Sequence, residues 1–393
     1  MSSLAEIEKL DGTALRYALM DLAKEVQGAI ALGRGDPDLP TPEHIVEAAR
    51  QVIRRGDLSL MPVAGMLELR EAIAARAERD HGFSATAENV LVTTGGQEGV
   101  FLVMSALLNP GDEILVPDPR YSSYDEAVQH AGGVMVSVPT YPEDGFDLRP
   151  EEVEKRITPK TKALLLVTPS NPTGGIITRE SAKAIAELAI KHNFVVISDE
   201  IYGKFVYEPF KHVSIGAFPG MVERTITLSG FSKAYAMTGW RVGYVIAPED
   251  VIRALAAIKG ATTGPVATVS QHAALAAATG PDACIDDFKR IYLERRAVMA
   301  EGLTSMGLRY SDPRGGCFFW TEGSSTGLRA LELSYLLLKE ARVLIFPGTA
   351  FGEKWNDYLR ITILQPTEVL QEAVTRMTPV VKRYAELRQK ADA

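Results

Sequence analysis

The sequence predicts an α/β fold with a mostly parallel, doubly wound sheet and a smaller α+β domain that both chain ends build. Three observations indicate this fold: short apolar runs recur through the middle of the chain, they are continuous, and helical patterns separate several of them. Continuous apolar runs are typical of strands covered on both faces. Strands that alternate with helices favour parallel pairing through right-handed crossovers.

Six segments are predicted to be strands of this sheet because each is apolar and ends in turn residues. In chain order they are NVLVTT (89–94), DEILVPD (112–118), KALLLVTPS (162–170), FVVISDE (194–200), TITLSG (225–230) and VGYVIAP (242–248). The clearest helix between them is TRESAKAIAELAIKHN, with Thr178 as its predicted N-cap. Its apolar side is predicted to consist of Ala182, Ile185, Ala186, Leu188 and Ala189.

The pattern changes near residue 281. A charged helix, DFKRIYLERRAVMAEGLTSMG, leads to short alternating strands in CFFWTE, VLIFPG and YLRITIL and then to a polar C-terminal helix. We therefore expect a large domain over residues 45–280 and a small domain composed of residues 1–44 and 281–393. A chain of 393 residues is long enough for two such units.

Composition excludes several functional classes. A net charge of −8 argues against a nucleic-acid partner, which would need a basic face. The N-terminus MSSLAEIEKLDGTALRY lacks a signal-peptide pattern, and no segment has the apolar length of a membrane span, so a cytoplasmic location is expected. Cys284 and Cys317 are too few for a disulfide framework, and no histidine pair has ligand spacing, so no metal site is predicted.

Small and polar residues follow five of the predicted strands, at the sheet edge where open parallel sheets bind ligands. NVLVTT is followed by GGQEGVFLVM, a glycine turn opening a helix whose first amides suit a phosphate, although a plain strand-to-helix connection explains it equally well. The other strand ends deliver Tyr121, Asn171, Asp199 with Tyr202, and Ser229 with Ser232 and Lys233. Singly, each has an ordinary structural explanation; together they describe a ligand with a phosphate, a flat ring, a ring cation and a carbonyl.

Pyridoxal phosphate has these four features, and the sequence predicts a site for it. Lys233 would form the Schiff base with its aldehyde, and Asp199 would pair with its protonated ring nitrogen. Tyr202 and Asn171 would hydrogen-bond the ring oxygen, and Tyr121 would cover one ring face. The predicted phosphate ligands are Gly95, Gly96, Gln97, Ser232 and Arg241.

Four segments, SNPTGG, SDEIYGKFVY, SGFSKAYAMTGWRVGY and NDYLRITI, resemble the signature motifs of class I/II aminotransferases, fold type I enzymes of the aspartate aminotransferase superfamily. The resemblance runs in order from GRGDPD to the C-terminus. It implies the roles just given for Lys233, Asp199, Tyr202, Asn171 and Arg241, with the first three as catalytic residues.

The resemblance further implies that Arg360 binds the substrate α-carboxylate and that Gly35 and Asn171 contact the substrate. It implies a homodimer with shared active sites. Two positions depart from the family pattern: Leu60 stands where a tyrosine commonly reaches the partner's cofactor phosphate, and Gly230 stands where serine is frequent, with Ser229 as a candidate replacement.

The function these features favour is transfer of an amino group from an amino acid to a 2-oxo acid, with Lys233 as proton acceptor and donor. Other chemistry on the same fold is the alternative: β-elimination, decarboxylation or oxidative deamination. A non-enzymatic regulator is disfavoured because the chain has neither the length nor the basic segment for an added DNA-binding domain.

The sequence leaves open which side chain the preferred substrate carries. An acidic substrate would need a second cation, and Arg16 and Arg120 are the candidates. Pairing of Arg120 with a neighbouring acid such as Asp118 is equally compatible with the sequence. Tyr17 and Leu60 would instead favour an aromatic or aliphatic amino acid.

Overall fold

The computed structural model describes residues 4–392 of the chain. Residues 1–3 and 393, which belong to the predicted small domain, lie outside the described residues. The helices are α1 (Leu4–Ile7), α2 (Gly12–Lys24), α3 (Glu43–Arg55), α4 (Leu67–His81), α5 (Gly95–Leu107), α6 (Ser123–His130), α7 (Pro150–Glu154), α8 (Arg179–His192), α9 (Glu249–Thr262), α10 (Thr268–Thr279), α11 (Ala283–Ser305), α12 (Ala330–Leu336) and α13 (Thr367–Asp392). The strands are β1 (Ile30–Ala31), β2 (Val90–Thr93), β3 (Glu113–Asp118), β4 (Val134–Pro139), β5 (Thr161–Val167), β6 (Val195–Asp199), β7 (Thr225–Gly230), β8 (Gly243–Ile246), β9 (Arg309–Ser311), β10 (Phe318–Glu322), β11 (Val343–Leu344), β12 (Phe346–Pro347) and β13 (Tyr358–Thr362).

A seven-stranded sheet has the order β2-β8-β7-β6-β5-β3-β4. Only β8 runs antiparallel to its neighbours in this sheet, so the predicted mostly parallel sheet is confirmed. All six predicted strands belong to it. The edge strand β4 was not predicted, because most of its residues stay partly exposed and the segment lacks a continuous apolar run.

Both faces of this sheet are covered, which explains the continuous apolar runs. In β5, Ala163 and Leu165 pack on the side of α5 and α9, whereas Leu164 and Leu166 pack on the side of α8. α8 begins as predicted: the Thr178 hydroxyl accepts a hydrogen bond of 3.2 Å from the Ser181 amide. The five predicted apolar residues of this helix are all buried.

A second, antiparallel sheet has the order β12-β13-β10-β9. The single strand expected over VLIFPG is wrong, since the segment divides between β11 and β12 at Ile345. β11 pairs in parallel with β1, and β12 pairs with β13, so the two halves of the segment join different sheets.

The N-terminal helices pack against this second sheet. Leu15, Leu19 and Leu22 of α2 share an apolar cluster with Trp320 and Phe351. This packing brings α2 over the edge of the large sheet. None of the helices that the structure describes combines the length and apolar character needed to cross a membrane.

Candidate active site

The carboxyl ends of β2, β3, β5, β6 and β7 meet at one edge of the large sheet and open into a cavity of about 430 Å³. Ligands bind at this edge in open α/β sheets. Eleven of the predicted site residues line the cavity: Gly35, Gly96, Gln97, Tyr121, Asn171, Asp199, Tyr202, Ser232, Lys233, Arg241 and Arg360. Gly95 does not line the cavity, but it lies against Arg241, which does.

Lys233 follows β7 in a tight turn. The Ser232 carbonyl closes this turn by accepting hydrogen bonds from the Met237 amide at 3.1 Å and the Thr238 hydroxyl at 3.3 Å. The Lys233 Nζ points into the cavity and donates a hydrogen bond of 2.8 Å to the Gly35 carbonyl. Burial lowers the pKa of Lys233 below its ordinary value, because desolvation disfavours the ammonium form. An amine with a lowered pKa is suited to nucleophilic attack and proton transfer.

Asp199 is the last residue of β6, and its carboxylate faces the cavity. Its Oδ2 accepts a hydrogen bond of 2.7 Å from the Tyr124 hydroxyl, and its Oδ1 accepts one of 3.1 Å from the Ile201 amide. Burial raises the pKa of Asp199, and the Glu200 charge adds to this, whereas the two hydrogen bonds and Lys233 oppose it. Such a carboxylate is suited to binding a cation from the cavity.

Tyr124 was missed by the sequence reasoning. It lies at the start of α6, three positions after Tyr121, and the two rings contact each other edge to face at 5.7 Å. Tyr124 is buried, and burial together with Asp199 raises the pKa of its hydroxyl well above the ordinary value, so it acts as a donor. Its position three residues after the predicted Tyr121 was the available signal.

Arg360, in the middle of β13, is buried on the cavity wall, with 2% of its surface exposed. Its Nη1 donates a hydrogen bond of 2.8 Å to Asn171 Oδ1, and its Nη2 donates to the Gly33 carbonyl. The rings of Phe318, Phe346 and Phe351 surround its guanidinium, with centroids 5.0, 5.3 and 4.5 Å away. Burial and the nearby Arg16 lower the pKa of Arg360 to about 10, so it stays charged at neutral pH.

The helix α5 begins at Gly95, as the glycine turn predicts, and Arg241 lies against this N-terminus. A Cβ on Gly95 would come within 2.6 Å of Arg241 Nη2, so only glycine permits this approach. Arg241 donates hydrogen bonds to the carbonyls of Thr238 at 3.0 Å and Thr94 at 3.4 Å. Its φ of 53° is in the left-handed region, a strain that structures hold mainly at functional sites. Helix amides and a guanidinium together form a suitable anion site.

The remaining aromatic residue, Tyr202, is buried beside Phe318, with ring centroids 5.3 Å apart. Burial raises the pKa of its hydroxyl well above the ordinary value, so the hydroxyl is a donor at neutral pH. Tyr202 and Tyr121 line the cavity from the ends of β6 and β3, on either side of β5.

The two candidate specificity arginines lie in different places. Arg120 forms a two-pronged ion pair with Asp125, at 2.7 Å from Nε and 2.9 Å from Nη2, and is not part of the cavity lining. The partner is thus chiefly Asp125, with Asp118 at 4.0 Å. Arg16 lines the cavity from α2.

A buried polar cluster lies beside Asp199. Glu200 accepts hydrogen bonds of 2.8 Å from both His81 and His212, and its other oxygen accepts bonds from Ser198 at 2.8 Å and Ser214 at 2.6 Å. His81, Glu200 and His212 each offer one atom that could bind a metal ion, and these three atoms lie within 4.8 Å of one another. Sequence reasoning missed this cluster because His81 and His212 are far apart in the chain. Neither is separated from Glu200 by a spacing that is typical of metal ligands.

Comparison with known proteins agrees with this geometry. The family model for aminotransferase class I and II matches residues 27–377. An aromatic-amino-acid aminotransferase 2 of Thermococcus litoralis is 40% identical over 93% of this chain and 94% of its own. An aspartate/prephenate aminotransferase of Thermus thermophilus is 39% identical over 94% and 95%. The structure of Thermus thermophilus aspartate aminotransferase with maleate superposes with a TM-score of 0.90 at 38% identity, covering 97% of this chain and 100% of that one.

The matched residues include every strand of the large sheet and the cavity-lining residues from Gly33 to Arg360. The relatives are aligned along nearly their entire length. The chain therefore belongs to the aminotransferase class I and II family, and it is an aminotransferase.

Proposed function

We propose that this aminotransferase binds pyridoxal 5′-phosphate in the cavity at the sheet edge and uses it to move an amino group from an amino acid to a 2-oxo acid. The family is known to use this cofactor. The observation that carries the proposal is the convergence of the Lys233 amine, the Asp199 carboxylate and the Arg360 guanidinium on one cavity.

The residues present fit the cofactor. A cavity of about 430 Å³ lies in the range of small-molecule sites. The narrow approach at Gly95 leaves the first amides of α5 and the Arg241 guanidinium accessible to a phosphate. Gly96, Gln97 and Ser232 complete that end. Asp199, whose negative charge is stabilised by the Tyr124 hydroxyl, would pair with the protonated ring nitrogen. Tyr202 and Asn171 would bind the ring oxygen.

The bound cofactor supplies an electron sink that stabilises negative charge at the substrate Cα. Lys233 would hold the cofactor through Nζ, and as a free amine it would accept the proton of the substrate Cα and return it. Its lowered pKa keeps a larger fraction of the amine unprotonated for this role. The Gly35 carbonyl, which accepts the Lys233 hydrogen bond, orients the amine toward the cavity.

Arg360 binds the α-carboxylate of the substrate. Its guanidinium is fixed by Asn171, the Gly33 carbonyl and three phenylalanine rings, so little conformational entropy is lost when a carboxylate binds. A carboxylate held there would orient the Cα–H bond toward Lys233, and positioning of this kind lowers the barrier. Gly35 borders the same end of the cavity.

Three further features belong to the proposal. A homodimer is supported by large apolar side chains that stay exposed between α3 and α4, with Leu60 86% and Leu58 52% exposed. The division into a large domain of residues 45–280 and a small domain from both ends is supported by the separation of the seven-stranded sheet from the two smaller sheets, whose strands come from residues 30–31 and 309–362. A cytoplasmic location is supported by two cysteines that are both free.

The test follows the visible absorption of the purified holoenzyme while single amino acids are added without an acceptor. We expect particular donors to bleach the cofactor's band in stoichiometric amounts with release of the matching 2-oxo acid, and Lys233→Ala to abolish this. Asp199→Asn should weaken it strongly. A band that persists while ammonia and pyruvate appear would instead assign lyase chemistry, and a protein that binds no cofactor would refute the proposal.

A further inference from the structure

The turn before α5, at the phosphate end of the cavity, is held by a carboxylate of that same helix. Glu98 lies in the first turn of α5, and its side chain is 9% exposed. This side chain folds back, so that its Oε2 accepts a hydrogen bond from the Thr94 amide. The Thr94 carbonyl accepts a hydrogen bond of 3.4 Å from Arg241. Thr94 is therefore fixed through its amide by Glu98 and through its carbonyl by Arg241.

Lys259 of α9 is the cationic partner of Glu98. Its side chain is fully buried, and its Nζ donates hydrogen bonds of 2.7 Å to Glu98 Oε2 and 3.3 Å to the Thr263 hydroxyl. The Thr263 hydroxyl in turn donates to the other oxygen of Glu98. Burial would raise the pKa of Glu98, but the hydrogen bonds from Lys259 and Thr263 hold it below its ordinary value, so the carboxylate is charged at neutral pH.

A buried ion pair of this kind contributes little net stability. Desolvation of the two charges offsets most of their attraction, and a pair of apolar side chains would link α5 to α9 equally well. The same helix also carries an ordinary surface pair: Arg253 and Glu249 of α9 lie 2.6 Å apart, with side chains 66% and 57% exposed. The burial of Lys259 and Glu98 therefore points to a role in the turn that they hold.

This turn sets the position of the anion site at the start of α5. Within the described part of the chain, the Thr94 side chain makes no cap hydrogen bond to α5 and so leaves the first amides of the helix available to an anion. A fixed Thr94 determines where the helix begins and therefore where these amides point. The Glu98 carboxylate, which contacts the Thr94 amide, is close enough to this site that it would repel an anion there if its charge were unpaired.

We propose that Glu98 and Lys259 are positioning residues for the cofactor's phosphate. Glu98 holds the Thr94 amide and thereby fixes the turn that presents the first amides of α5. Lys259 neutralises Glu98, so that the carboxylate holds this turn without repelling the phosphate. This inference rests on the proposed function, because it requires that the phosphate binds between α5 and Arg241.

The test titrates the cofactor-free full chain with pyridoxal 5′-phosphate and with pyridoxal, which lacks the phosphate. Lys259→Met leaves the Glu98 charge unpaired and should raise the Kd of pyridoxal phosphate about 10- to 100-fold. Adding Glu98→Gln removes that charge but keeps an oxygen for the Thr94 amide, so this double variant should bind within about threefold of wild type. Adding Glu98→Met instead removes the oxygen as well and should raise the Kd about 5- to 10-fold, the effect of one hydrogen bond. The Kd of pyridoxal should change less than about twofold in every variant.

Arg253→Met is the matched control, because it removes the cation of the exposed pair on the same helix and should leave both Kd values unchanged. Equal losses of affinity for pyridoxal and for its phosphate would show that the buried pair only supports the fold, and would overturn the inference. A Lys259→Met variant that binds pyridoxal phosphate as tightly as wild type would also overturn it. The same holds if Glu98→Gln does not restore the affinity that Lys259→Met loses, since the loss would then not come from the unpaired charge.

The two double variants carry no buried charge, so they test the inference even if Lys259→Met alone does not fold. A weaker affinity of Glu98→Met/Lys259→Met than of Glu98→Gln/Lys259→Met for pyridoxal phosphate supports the role of the Glu98 oxygen, and equal affinities would overturn it. A wild type that binds pyridoxal phosphate, with variants that lose none of this affinity, would overturn the inference and leave the proposed function intact. A wild type that binds no pyridoxal phosphate would overturn both.

Discussion

The Tyr124 hydroxyl donates a hydrogen bond of 2.7 Å to Oδ2 of Asp199, the carboxylate at the end of β6. Because this bond favours the charged carboxylate, its loss in Tyr124→Phe should raise the already elevated pKa of Asp199 further. We expect kcat/KM for amino acids to fall about 10-fold. The acid limb of the pH–rate profile, where Asp199 becomes protonated, should shift to higher pH.

Tyr310→Phe is the control for this change, since Tyr310 lies in β9 of the second, antiparallel sheet and packs on Phe319. Its pH profile should coincide with that of the wild type. If Tyr124→Phe keeps its activity and the acid limb of its pH profile does not shift, then Tyr124 does not help to keep Asp199 charged.

Arg360 gives a second prediction. In Arg360→Met, the three phenylalanine rings keep an apolar side chain, but the α-carboxylate loses its fixed partner. KM for every amino acid should rise by about 100-fold, since a bidentate charged contact is worth roughly 3 kcal/mol. Cofactor absorption should be unchanged, which separates a substrate defect from a cofactor defect. A KM within about twofold of wild type would contradict the α-carboxylate assignment.

The large sheet and the cavity were predictable because their signals are local. Each buried strand is a continuous apolar run, and each delivers its polar residue within four positions of its end. Parallel strands then bring Tyr121, Asn171, Asp199 and Lys233 to one edge without further information. The edge strand β4 escaped prediction because a partly exposed strand loses that apolar run.

Contacts between distant segments could not be predicted. Whether Arg16 or Arg120 faces the cavity depends on how α2 packs over the sheet edge and on the ion pair of Arg120 with Asp125. The sequence showed both arginines near aromatic residues and offered no means to rank them. The His81 and His212 contacts with Glu200 likewise join positions more than ten residues apart.

Glu200 gives a prediction on stability. Burial alone would raise its pKa, but His212 and His81 hold the pKa well below the ordinary value of 4.5. The native state therefore binds fewer protons than the unfolded state at acid pH, so the stabilisation is complete above about pH 4.5 and is lost as pH falls below it. At pH 7, Glu200→Gln should reduce the free energy of unfolding by about 2–4 kcal/mol.

Measured by denaturant unfolding, this difference between wild type and Glu200→Gln should shrink as pH decreases from 5 toward 3. Glu154→Gln is the control, because Glu154 forms an exposed pair with Lys191. It should follow the wild-type curve at each pH. If the difference in the free energy of unfolding stays constant down to pH 3, Glu200 stabilises the fold through its shape and not through its charge.

Leu60 gives a prediction on cofactor affinity. It is 86% exposed, and in the proposed homodimer it would face the partner's phosphate site, where a tyrosine could donate a hydrogen bond. Leu60→Tyr should therefore lower the Kd of pyridoxal phosphate about fivefold, as one hydrogen bond of about 1 kcal/mol predicts. Leu58→Tyr, two positions earlier in the same exposed segment, should not change it. Equal effects of the two variants, or none, would contradict that placement of Leu60.

Gly230 tests the second departure from the family pattern. β7 ends at Gly230, which pairs with Gly243 of β8, and a Cβ added to Gly230 would lie 2.9 Å from the Gly243 Cα and 3.4 Å from the Val242 carbonyl oxygen. Serine at this position must therefore push two strands apart just before the Lys233 turn. We expect Gly230→Ser to reduce the free energy of unfolding by about 1–3 kcal/mol, the range for overpacking, and to lower kcat because Lys233 shifts. In Gly239→Ser no atom lies within 4 Å of the new Cβ, so stability should change little. The measurement is thermal unfolding of Gly230→Ser and Gly239→Ser side by side. Equal stability of the two variants would mean that β7 and β8 separate without cost and that the glycine pair does not fix the Lys233 turn.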